Sequence, residues 1–114
     1  MLEQGEIVLI PVPFADLTSH KRRPVIIVSN NEYNRARNDV VVVAMTSTPD
    51  ISRYAFQLSS SDLVAGQLNR PGTVRVDKIY TLAQSITSKR FGRVSTPVIA
   101  SIRDTLDVLT TQAS

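Results

Sequence analysis

The chain has 114 residues and a mass of 12.6 kDa, a size that predicts one domain with a single core. Hydrophobic residues make up 42% and charged residues 20%, an ordinary globular balance that argues against intrinsic disorder. With no cysteine and a single histidine, His20, disulfide scaffolds, thiol nucleophiles, cysteine-ligated metals and the common multi-histidine zinc sites are excluded.

Residues 6–12, Glu-Ile-Val-Leu-Ile-Pro-Val, are apolar and β-branched and predict a strand. Pro11 and Pro13 cannot donate to a ladder and mark its end or a sheet edge. Residues 14–23 break the pattern as a polar loop, and 24–29 predict a second strand, apolar enough to be buried on both faces. Asn30 can cap a short helix running through Arg37. Residues 39–46 predict a strong third strand, 54–58 a fourth, and Asn69-Arg70-Pro71-Gly72 a turn. A fifth strand follows at 73–79, and a short one is expected near 91–94. Thr96 before Pro97 reads as an N-cap. Ile99, Ile102, Leu106 and Leu109 then form one helical stripe that must pack on the sheet. The pattern is mainly β with a C-terminal helix (α+β), folded as a small, partly closed barrel.

The 13 basic and 10 acidic side chains give a net charge of +3. The basic residues cluster locally: Lys21, Arg22 and Arg23; Arg35 and Arg37; Arg70, Arg75 and Lys78; Lys89, Arg90 and Arg93. Such clusters serve either as solvated faces or as a phosphate-binding surface. No apolar run approaches the roughly 20 residues needed to cross a bilayer. Glu3 and Glu6 stand where a signal peptide would be positive or apolar, so the expected compartment is the cytoplasm.

Three constellations carry candidate chemistry. Alternation from Thr73 to Asp77 turns Val74 and Val76 toward a core and Thr73, Arg75 and Asp77 toward an exposed face. There Arg75 and Asp77 are neighbours, either a surface ion pair or a functional pair. In His20-Lys21-Arg22-Arg23-Pro24, the proline keeps Arg23 extended at the mouth of a buried strand. A guanidinium held there suits phosphate, because its fork donates two parallel hydrogen bonds. In Met45-Thr46-Ser47-Thr48-Pro49, hydroxyls end a strong strand before a proline; they either close a turn or contact a phosphate or ribose.

The succession Gly5-Glu6-Ile7-Val8-Leu9, Arg23-Pro24-Val25-Ile26-Ile27-Val28, Thr46-Ser47 and Gly72-Thr73-Val74-Arg75-Val76-Asp77 closely resembles the MazF/PemK (Kid) toxins. The Asn30–Arg37 insert with Tyr33-Asn34 matches as well. The resemblance runs from Gly5 to the terminal helix. It implies an SH3-like barrel related to the gyrase poison CcdB, a homodimer, and a toxin neutralised by a cognate antitoxin. The activity it implies is metal-independent and cofactor-independent cleavage of single-stranded RNA by a neighbouring 2′-hydroxyl, leaving a cyclic phosphate. Arg23 and Thr46 would hold the scissile group, and Arg75 and Asp77 match the acid and base proposed in the Kid branch. An arginine stays protonated, which favours Arg75 as a charge clamp. Phe14, His20, Lys21, Arg22 and Ser47 would contact RNA, Phe14 by stacking on a base. His20 has the ordinary pKa best suited to proton transfer. Two other readings remain: a CcdB-like gyrase poison and a non-catalytic RNA-binding module.

Overall fold

The computed structural model describes residues 1–11 and 22–112. Among the described residues, seven strands form one antiparallel sheet: β1 (Glu6–Pro11), β2 (Arg22–Ile27), β3 (Asp39–Thr46), β4 (Ala55–Leu58), β5 (Leu63–Gly66), β6 (Gly72–Ala83) and β7 (Lys89–Val94), in the spatial order β4-β6-β3-β2-β1-β7-β5. Helix α1 (Asn31–Ala36) links β2 to β3, and helix α2 (Thr96–Thr110) ends the fold. Among the described residues no helix is long and apolar enough to cross a membrane.

Alternation splits the apolar residues into two clusters. Ile7, Ile26, Val43, Val74, Val76 and Val94 point to one face, where Val98, Ile99 and Ile102 of α2 cover them. Their neighbours Val8, Val25, Ile27 and Val42 point to the other face, with Leu2, Ile10, Val40 and Leu82. This is why residues 25–27 are all buried. Of the expected α2 stripe, Ile99 and Ile102 are buried, with Ile102 only 1% exposed, and Leu106 packs against them partly buried, while Leu109 belongs to neither cluster.

Asn30 caps α1, its side chain accepting from the Tyr33 amide at 2.8 Å. The matching Asn34 is a structural residue. It is buried, accepts from the Ser29 hydroxyl at 2.5 Å and donates to the Ser29 carbonyl at 3.0 Å. Gly5, at φ +90°, donates to Ile27 and accepts from Val94, fixing β1 between β2 and β7. Buried Glu6 accepts from the Glu3 amide at 2.7 Å and faces Arg90 at 3.6 Å.

The structure differs from the sequence expectation at several element boundaries. The fifth expected strand, 73–79, runs on as β6 to Ala83, and the second ends at Ile27. Arg22 and Arg23 belong to β2 rather than to a loop, because they pair with Pro11 and Ile10. Strand β5 was not foreseen; four residues are too few to show a period, and pairing with β7 holds them. The last strand starts at Lys89 rather than near 91. The N-cap of α2 is Ser95, placing Thr96 inside the helix, and no side-chain cap bond forms.

Candidate active site

Strand register assembles the site. Val25 lies opposite Ala44, and Ala44 opposite Arg75, so these three share one face of β2, β3 and β6. Arg23 is two residues before Val25 and Thr46 two after Ala44. Because the strands are antiparallel, both steps go the same way and stay on that face. Ile10 joins them opposite Arg23. Together they surround a cleft of about 540 Å³ with an apolar floor of Ile10, Val25, Ala44 and Met45. Arg23, Arg75 and Lys78 line it with Thr46 and Tyr80, and Thr48, Pro49 and Asp50 close it from the segment after β3.

A bulge in β6 shapes this cleft. Val43 pairs with Ile79 but the next residue, Ala44, pairs with Arg75, leaving Val76, Asp77 and Lys78 without partners on β3. An odd number of extra residues shifts the strand's phase. Arg75 and Tyr80, which uninterrupted alternation would send to opposite faces, therefore line the same cleft. Lys78 is brought in by the same device. Thr73, expected on the exposed face, is instead buried, because β6 is flanked there by Thr46 of β3 and Gln57 of β4.

Arg75 carries two carboxylates. Its Nε donates to Asp77 Oδ1 at 3.0 Å and its Nη2 to Asp77 Oδ2 at 2.9 Å. Asp50 Oδ2 lies 2.9 Å from the same Nε. That nitrogen has one hydrogen, and the directed bond goes to Asp77, so the contact of Asp50 with Arg75 is an ion pair rather than a directed hydrogen bond. The Asp77 fork raises the Arg75 pKa further above its ordinary value. In return, the Arg75 hydrogen bonds hold the Asp77 carboxyl below the usual carboxylate range, against an opposing contribution from burial. Asp77 takes two of the five guanidinium N–H groups and leaves three for a further acceptor.

The structure brings Arg23, Thr46 and Arg75 to one cleft and ties Asp77 to Arg75. Arg23 forms no ion pair among the described residues. Thr46 both closes a turn, accepting from the Thr48 amide at 3.1 Å, and lines the cleft. Ser47 and Arg22 are exposed and lie outside the cleft lining. Phe14, His20 and Lys21 fall outside the described residues. Sequence reasoning missed Asp50 and Tyr80, placed Thr48 among the strand-end hydroxyls without assigning it a role, and noted Lys78 only as one charge in a cluster. The one local signal was the spacing of Lys78 from Arg75, whose meaning depends on the bulge.

The sequence matches, over residues 3–110, the family described as PemK-like, MazF-like toxin of type II toxin–antitoxin system. The chain belongs to this toxin family. Its fold is similar to that of an endoribonuclease solved with its cognate antitoxin from a mycobacterial species, at 26% identity and TM-score 0.73 over all of both chains. A second mycobacterial endoribonuclease matches at 27% identity and TM-score 0.74, covering 94% of this chain and 88% of that one. MazF in a MazE–MazF complex from Deinococcus radiodurans shares the fold at TM-score 0.77 and 20% identity, over 98% of each chain. No curated protein matches this family member by sequence.

Proposed function

We propose that the chain is the toxin of a type II toxin–antitoxin module and cuts single-stranded RNA at specific sequences. The observation that carries this reading is the convergence of Arg23, Arg75 and Lys78 with the Thr46 hydroxyl around one small cleft. The apolar floor and the segment after β3 leave the Arg75 side chain 28% exposed, which strengthens its charge, while Arg23 and Lys78 stay exposed to solvent. Cations and a donor so placed suit a phosphodiester that gains negative charge as a fifth oxygen approaches phosphorus.

The 2′-oxygen attacks the neighbouring phosphorus, the bond to the 5′-oxygen breaks, and the products are a 2′,3′-cyclic phosphate and a 5′-hydroxyl end. Arg23 and Arg75 hold the non-bridging oxygens, Lys78 adds a third charge, and Thr46 donates its hydroxyl. Arg75 serves as a charge clamp, since its pairing with Asp77 makes it a still weaker acid. Asp77 acts as its positioning partner, because both of its carboxylate oxygens are turned onto Arg75 and it does not line the cleft. Arg22 and Ser47 are exposed and free to meet flanking nucleotides; Phe14, His20 and Lys21 are assigned to RNA contact by resemblance.

A homodimer, a cytoplasmic location and neutralisation by a cognate antitoxin complete the proposal, the antitoxin covering the basic cleft with an acidic segment that folds as it binds. The decisive experiment incubates purified protein with a long single-stranded RNA in EDTA. Discrete fragments ending in cyclic phosphate are expected. An intact RNA would overturn the ribonuclease reading and its metal-free chemistry.

A further inference from the structure

In-line attack by a 2′-hydroxyl needs a proton acceptor within hydrogen-bond reach of the scissile phosphate. Among the described residues of the cleft, Arg23, Arg75 and Lys78 have no acceptor capacity, and the hydroxyls of Thr46, Thr48 and Tyr80 are weak bases. Asp77 is turned onto Arg75 by two hydrogen bonds and is not part of the cleft lining. Asp50 is the one carboxylate that lines the cleft among the described residues. Its Oδ2 stands 2.9 Å from the Arg75 Nε, and its side chain is 27% exposed. It is held by the segment that turns back at Thr48, where Pro49 restricts the backbone.

We infer that Asp50 is the general base, a catalytic residue that accepts the 2′-hydroxyl proton. The inference rests on the ribonuclease reading above. The proton passes to an Asp50 carboxylate oxygen as the O2′–P bond forms. The P–O5′ bond breaks, the 5′-oxygen takes a proton from solvent water, and Asp50 returns its own to solvent, so the transesterification balances without a co-reactant. The neighbouring charges are Arg75 and Lys78 on β6, Arg23 on β2, and Asp77 beyond the Arg75 guanidinium.

The test compares wild type, Asp50→Asn and Asp50→Glu in two assays: single-turnover cleavage of one RNA, and binding of the same RNA with a 2′-deoxy residue at the cut. Expected are a loss of about 10²–10⁴-fold in cleavage for Asp50→Asn, binding within about threefold of wild type, and partial recovery in Asp50→Glu. Undiminished cleavage with tighter binding would mark Asp50 as a competitor of phosphate for Arg75 and overturn the assignment. Equal losses in cleavage and binding would reduce Asp50 to a structural support and overturn it as well. Wild type that fails to cut would refute the ribonuclease reading itself, a result distinct from either.

Discussion

Replacing Arg75 with alanine should separate cleavage from folding. The Arg75–Asp77 pair has good fork geometry, but its side chains are 28% and 31% exposed. A pair this wet contributes about 0–1 kcal/mol to stability, so Tm should fall by only a few degrees. Transition-state stabilisation is a different matter. A donor aimed at developing charge contributes about 2.7–4 kcal/mol, or 10²–10³ in rate. The loss should reach the upper end of that range, because Arg75→Ala also leaves Asp50 and Asp77 as uncompensated anions beside the incoming phosphate. Single-turnover cleavage and thermal melts of Arg75→Ala, Asp77→Asn and the double variant complete the cycle. If Asp77 works through Arg75, its substitution costs rate in the wild-type background and nothing, within about 0.5 kcal/mol, once Arg75 is gone. An Arg75→Ala protein that cuts at the wild-type rate refutes the site. A full Asp77→Asn penalty that persists without Arg75 refutes the positioning role.

The lowered Asp77 pKa makes a pH prediction. Its pairing stabilises the fold above the unfolded carboxyl pKa of about 3.9 and is lost as pH falls through the lower folded value; the melts of wild type and Asp77→Asn should differ by at most about 1 kcal/mol near neutrality and converge in acid. Ile102→Ala, at a site 1% exposed between α2 and the sheet, should cost about 2–5 kcal/mol in urea unfolding. Lys78→Ala should lower the slope of log affinity against log salt for single-stranded RNA by about 0.7; an unchanged slope would remove Lys78 from the phosphate contacts.

Elements that follow from local chemistry were legible in the sequence. The β-branched run of β3 matched its span, Asn30 capped its helix, and the α2 stripe met the core. Arg23, Thr46 and Arg75 were named as candidates too, although their short motifs also fitted ordinary loops, turns and ion pairs and the family resemblance singled them out. What escaped depends on pairing between distant strands. Nothing local to Leu63–Gly66 announces a strand, and the phase of β6 past Arg75 is set by β3 rather than by its own alternation. Asp50 sits in a polar stretch that reads as an ordinary turn, and its value comes from a guanidinium 25 positions away in the chain.

The bulge in β6 also separates cargo from scaffold. Arg75 is stitched on both sides, to Ala44 and to Ala55, whereas Asp77 and Lys78 fall outside the registers of both neighbouring strands. Side chains at 77 and 78 can therefore be exchanged without unzipping a ladder. The cleft's charge can be retuned there, by selection or by a small designed library, on a sheet that stays the same.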